Sequence, residues 1–186
     1  MRNRTMKKAS MNKLGIVAFR SRQRGASLLE GIAYLGIAAI VILGAVSLLS
    51  SAFGNARSNQ ASEEVVSLRT AVKKLYSGQI YPATIVSTLV AAHAIPGSLV
   101  VDSDKKTVTN SWGGAVTVTP GPNGGSFVIN YPSVPQDVCI NLVTGANGWT
   151  KIDNDGKGEV TTFPVNAEAA LGVCTAPANK LAFAAN

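Results

Sequence analysis

Four sets of side chains in this 186-residue sequence could do chemistry. Glu30 stands at the head of a run, Gly31 to Ala56, that holds no charged side chain. An ionised carboxylate carried into hydrocarbon costs roughly 2.5–3.5 kcal/mol on insertion scales, so an acid placed there calls for a partner. Cys139 and Cys174 form an even pair with no CxxC spacing and no companion histidine, which reads as a disulfide rather than a metal site. In "DNDGKGE", residues 153–159, Asp153, Asp155 and Glu159 could offer oxygens to Ca²⁺, and Gly156 suits a tight turn. The stretch lacks the full DxDxDG ladder and the bidentate-glutamate spacing of an EF-hand loop, so a hairpin turn without metal is the stronger reading. His93 is the one histidine, and with no second His or nearby Cys it reads as a structural or surface residue. There is no Gly-rich phosphate loop, Ser/His/Asp set or paired acid in an apolar context. Neither a cofactor nor an enzymatic activity is expected.

The elements that position these residues begin with a charge gradient. Arg2, Arg4, Lys7, Lys8, Lys13, Arg20, Arg22 and Arg24 precede the first acid, Glu30, and leave nine Lys/Arg against ten Asp/Glu in the remainder. The net charge of +7 therefore belongs to the leader. The remainder has no basic patch interleaved with aromatics, which argues against nucleic-acid binding. A basic leader before an apolar run is a membrane-targeting arrangement that keeps the N-terminus cytoplasmic and sends the rest outward. The cysteines then lie in an oxidising compartment, where closing their loop stabilises the fold by about 4 kcal/mol.

Three readings compete for residues 1–56. A secretory signal has an apolar core of about 7–15 residues before small residues at a cut, for which Ser50-Ser51-Ala52 could pass, but the uncharged run here is 26 residues long. A simple transmembrane anchor fits the length, since about 20 residues span the hydrocarbon, and leaves Glu30 at the interface. In the third reading the protein is cut between Gly25 and Ala26. The leader is lost, Ala26 gains a free amine, and Glu30 becomes the fifth residue.

Taken together, the leader and "RG-ASLLE-GIAYLGIAAIVILGAV" resemble the type IV prepilin signature. The resemblance implies that Gly25 sits in the pocket of a prepilin peptidase and that the new N-terminus at Ala26 is methylated. It also implies that Glu30 pairs with the Ala26 amine of a neighbouring subunit when the apolar helices bundle into a filament. Methylation keeps the amine's charge, and in a low-dielectric core leaving either partner unpaired is costly. The implied fold is α+β: a long N-terminal α-helix packed on an antiparallel β-sheet head, with a C-terminal region bounded by a Cys139–Cys174 disulfide. The 25-residue leader, the non-aromatic Ala26 and the 161 residues that follow the leader are similar to the type IVb branch. "NSWGGAVTV" and "VPQDVCINL" look most like major pilins of thin pili, which serve conjugative mating or adhesion.

On this reading residues 1–25 are a leader removed on maturation, 26–53 a transmembrane and filament-core helix, and 54–186 an amphipathic half-helix plus head. The expected partners are further copies of the same protein, the prepilin peptidase, an inner-membrane assembly platform with its ATPase, and the lipid bilayer before assembly. The expected location is the inner membrane and then an extracellular pilus of a Gram-negative bacterium. A pseudopilin of a secretion machine is the nearest alternative, and a membrane-anchored periplasmic enzyme a more distant one.

Beyond Gly54-Asn55, Ala61, Val65, Leu68, Val72 and Leu75 fall on one helical face, with Glu63, Ser67, Thr70 and Lys74 opposite. No proline interrupts Ala26 to Tyr81, and Gly78 is a natural stop with Lys73 and Lys74 in the last turn. The spacing predicts a helix of about 52 residues, roughly 78 Å long. A short helix carrying His93 is expected within 80–98. Two hairpins follow, with turns at 102–106 and 120–125, then short helices in "PQDVCINLVTGA" and "VNAEAALGVC" and a closing strand "KLAFAAN". The absence of a proline at mid-run, where many type IVa pilins kink, leaves the place of any bend open. Local melting near Gly44 or Gly54 is equally open.

Overall fold

A computed structural model of the protein describes residues 28–104 and 107–186. The expected Gly25–Ala26 cut and the basic leader lie outside the described residues. Helix α1 runs over Leu28–Leu75, unbroken because no proline interrupts it and half of its residues are strong helix formers. It ends three residues before Gly78, whose φ of +72° is the left-handed conformation that glycine adopts freely. The protein divides into two compact units, Met1–Gly44 and Ala45–Asn186. The sequence boundary at 53/54 falls inside α1.

In the second unit, Ala61, Val65, Leu68 and Val72 are buried as one stripe and Leu75 is half-buried, while Glu63, Ser67, Thr70 and Lys74 face water. The stripe belongs to the same core as a seven-stranded antiparallel sheet: β1 Val100–Val101, β2 Val108–Thr109, β3 Ala115–Pro120, β4 Phe127–Pro135, β5 Lys151–Asn154, β6 Glu159–Val160 and β7 Ala178–Ala185. Alternation places Val116 and Val118 of β3, Phe127, Ile129 and Tyr131 of β4, and Leu181, Phe183 and Ala185 of β7 inward. Along β4 the pairing slips between Tyr131 and Val134, and Ser133 takes a φ of +63°. This bulge shifts the inward parity by one residue, so that Val134 is buried instead of Ser133.

The strand order is β1-β2-β3-β4-β7-β5-β6. The C-terminal strand thus slots between β4 and β5, pairing antiparallel with both. The two expected hairpins are β1–β2 and β3–β4, and the closing strand is β7. Helix α3 (Gln136–Thr144) follows β4 and α4 (Ala167–Val173) precedes β7, matching the two expected short helices.

Helix α2 covers Ile85–Ala91, which corrects the expectation that His93 lies within it. His93 is exposed just beyond the end, with a φ of +51°. Its N–H donates to the Val90 carbonyl and the Ala94 N–H donates to the Leu89 carbonyl, the bond pattern of a Schellman helix stop. His93 therefore fills the position usually held by glycine or asparagine, outside the helix pattern that suggested it.

Candidate assembly surface

The N-terminal part of α1 has no charged residue between Glu30 and Arg57, and its large side chains are open. Leu28 is 88% exposed and Leu35 72%, and Ile32, Ile40 and Leu43 are equally bare. The helix is long and apolar enough to cross a membrane, and none of that apolar stretch is buried among the described residues. A continuous apolar surface of this size marks a membrane or protein contact, since exposed apolar area costs about 25 cal/mol per Å² in water. A Cβ placed on Gly31, Gly36 or Gly44 would meet nothing among the described residues, so none of those demands the glycines. Glu30 lies in the first turn, on the exposed surface, where a carboxylate also complements the helix dipole. Gly25 and Ala26 lie outside the described residues.

Within the second unit, α1 is held to the sheet by a polar cluster that the sequence reading missed. Glu64 is 1% exposed. The Tyr131 hydroxyl on β4 donates to Glu64 Oε2, and Gln60 Nε2 donates to Oε1 at 2.9 Å. The same Gln60 nitrogen donates to the Ser111 hydroxyl at 3.1 Å, and the Trp112 ring meets Tyr131 edge-on at 6.4 Å. Burial, and then the hydrogen bond to and the charge of Glu64, push the Tyr131 hydroxyl far above its usual pKa, so it stays a donor. The signal was present in the spacing: Glu64 is three residues after Ala61 and four before Leu68, on the buried stripe itself. Tyr131→Phe removes one of two donors from a buried carboxylate. It is expected to destabilise the fold by about 1–3 kcal/mol, read as a lower denaturation midpoint at unchanged slope.

The cysteines are joined: Cys139 on α3 and Cys174 at the end of α4 form a disulfide with Cα atoms 5.8 Å apart. Gln136 Nε2 reinforces the joint by donating to the Cys174 carbonyl at 2.9 Å. Two buried asparagines tie the neighbouring backbone. Asn154 Nδ2 donates to the Val173 carbonyl (2.7 Å) and to Asn179 Oδ1 (2.9 Å), and Asn154 Oδ1 accepts from the Lys180 N–H. Asn179 Nδ2 in turn donates to the Ala176 carbonyl at 2.7 Å. Each asparagine satisfies backbone groups that burial would otherwise orphan.

Asp153, Asp155 and Glu159 lie on the β5–β6 hairpin. Asp155 and Gly156 both have positive φ, 50° and 75°, at the centre of the turn that the Lys157 N–H closes onto the Asn154 carbonyl at 2.8 Å. Lys151 Nζ sits 2.5 Å from Glu159 and 3.8 Å from Asp153, and Lys180 Nζ lies 3.4 Å from Asp155. Glu159 holds the Lys151 ammonium above its usual pKa. Among the described residues no group of three His, Cys, Asp or Glu is placed to hold a metal ion. These exposed pairs contribute little to stability.

A long helix packed on an antiparallel sheet, with its C-terminal helices joined by a disulfide, is the architecture of type IV pilins. Among solved structures the fold is similar to a type IVb pilin from Salmonella typhi (TM-score 0.56, 28% identical, covering 68% of this chain and 96% of that one). It is also similar in fold to TcpA, a type IV pilin from Vibrio cholerae El Tor biotype (TM-score 0.50, 16% identical, covering 70% of this chain and 99% of that one). Among curated relatives, the "major structural subunit of bundle-forming pilus" from Escherichia coli O127:H6 is 31% identical over 156 residues, covering 80% of each protein. Its counterpart from Escherichia coli O111:H- is 30% identical over the same length and coverage. The family model described as "PilS N terminal" matches residues 55–186. The protein belongs to this PilS family and is a type IVb pilin, a structural subunit of a pilus.

Proposed function

We propose that this pilin is made as an inner-membrane precursor, cut between Gly25 and Ala26 by a prepilin peptidase, and polymerised into an extracellular filament for cell–cell contact such as conjugative mating or adhesion. Residues 1–25 are the leader, 26–53 the membrane and then filament-core segment, and 54–186 the half-helix with the head. An inner-membrane platform and its ATPase draw subunits from the bilayer. Methylation at Ala26 leaves its amine charged, and that amine pairs with Glu30 of the adjoining subunit.

The observation that carries this reading is the bare apolar helix headed by Glu30 and followed on the same helix by the stripe that seats the head. Bilayer and helix bundle are equally apolar, so moving from one to the other gains little hydrophobic free energy. A charge pair excluded from water supplies both preference and axial register. The same step explains the loss of the leader: eight cations ahead of Glu30 hold the precursor's N-terminus in the cytoplasm and block its entry into a packed core.

The test is intact mass of the processed protein and of Gly25→Leu. The native protein is expected to lack 25 residues and carry one methyl group and one disulfide. Gly25→Leu is expected to stay in the inner membrane, heavier by the mass of the leader. Normal processed protein from that variant overturns the cut site.

A further inference from the structure

Three Asx–Gly pairs stand in turns of the head, and their glycine N–H groups differ. The Gly124 N–H, after Asn123, donates to the Gly121 carbonyl at 3.1 Å. The Gly156 N–H, after Asp155, donates to Asp153 Oδ1 at 3.1 Å. The Gly148 N–H, after Asn147, meets no acceptor among the described residues, and both residues of the pair are exposed. The carbonyl of the same peptide unit, that of Asn147, accepts a 2.7 Å hydrogen bond from Arg69 Nη1. Arg69 is in turn held over the Trp149 ring at 4.7 Å, and Trp149 packs on Phe183 at 5.1 Å. The cation is thus fixed in place before any reaction.

We propose that Asn147–Gly148 is a self-modification site, deamidating with water as the co-reactant and promoted by Arg69. Solvent hydroxide takes the Gly148 amide proton, and the negative charge spreads onto the Asn147 carbonyl oxygen. Arg69 donates to that oxygen, so a preplaced cation stabilises the charge where it develops. The Gly148 nitrogen attacks Asn147 Cγ, forming a C–N bond. The bond from Cγ to Nδ2 breaks, and that nitrogen leaves as ammonia after taking a proton from solvent. Water opens the resulting five-membered imide at either carbonyl, leaving aspartate or isoaspartate at position 147. No electrons are transferred, and the net change is one water consumed and one ammonia released.

Deamidation adds a negative charge beside Arg69, and the isoaspartate product adds a methylene to the backbone where Arg69 and Trp149 pin the loop. A long-lived filament acquires this charge subunit by subunit, independently of how it is assembled.

The test incubates the full-length protein in detergent at mildly alkaline pH, folded and, in parallel, unfolded in guanidinium with the disulfide intact. Peptide mass mapping follows positions 147 and 123. In the folded protein position 147 is expected to convert at least as fast as in the unfolded one, while position 123 is slowed by folding. Arg69→Met is expected to slow conversion at 147 by about tenfold, the scale of one charge-assisted hydrogen bond, with partial recovery in Arg69→Lys and no change at 123. An amide that persists at 147 in the folded protein while it converts in the unfolded one overturns the proposal. Equal slowing of 147 and 123 on folding does so too, and both readouts need only the native protein. An Arg69→Met variant that folds and converts at the native rate removes Arg69 from the reaction.

Discussion

Glu30→Val is expected to give a pilin that is processed and held in the membrane yet yields few or no filaments. Valine enters lipid more readily than an ionised glutamate, by roughly 2.5–3.5 kcal/mol on insertion scales, so the monomer pool is undiminished. Assembly is another matter. On the proposed pairing, the Ala26 amine of each subunit then enters an apolar helix bundle without its counter-charge. Removing one partner of a buried pair costs about 3–5 kcal/mol, against about 1.4 kcal/mol per tenfold in an equilibrium constant. Each docking step is thus disfavoured by a factor on the order of 10² to 10³, and the loss repeats along the filament. Glu30→Gln, which keeps shape and loses charge, should behave nearly as badly. Electron microscopy of sheared filaments beside an immunoblot of membrane subunits makes the measurement. Filaments at native abundance from Glu30→Val remove the pairing role.

The second large effect is on the head. Replacing Cys139 and Cys174 together with alanine is expected to lower stability by about 4 kcal/mol, a large share of the roughly 5–15 kcal/mol typical of a domain. The separation of 35 residues encloses part of α3, the β5–β6 hairpin and α4, and excludes β7. That enclosed segment joins the ladder of the rest of the sheet through β5 on β7, over Lys151–Asn154 and Leu181–Ala184. Without the disulfide its closure entropy falls on those few ladder bonds and on the Asn154–Asn179 cluster. Guanidinium denaturation of the oxidised and fully reduced protein, with the double variant as control, reads the loss. Limited proteolysis should then cut first between 145 and 166. An unchanged midpoint on full reduction would sink this expectation.

Much of the molecule was legible because its signals are local. The extent of α1, the buried stripe from Ala61 to Val72, both early hairpins and the two helices that bear the cysteines all follow from spacing of about 3.6 or 2 and from turn residues. His93 was misplaced by two residues, since a Schellman stop without glycine leaves little trace in the sequence. Glu64 was passed over for a different reason. A charged side chain on an apolar stripe reads as an interruption until its partner is known, and Tyr131 lies 67 residues away. The same holds for Asn154 and Asn179, which look like turn residues and are buried instead.

Composition and order of residues settled that the N-terminal residues are strongly basic, that a long apolar helix with Glu30 at its head follows them, and that a cysteine pair lies in a mixed α and β head. Folding in three dimensions settled that β7 slots between β4 and β5, that Glu64 and Tyr131 lock helix to sheet, and that Arg69 reaches the Asn147 carbonyl. The division has a physical cause. Helix period, turn geometry and membrane fitness depend on neighbours within a few residues. Strand order and buried polar pairs depend instead on which distant groups desolvate together, a choice that only the whole packed molecule makes.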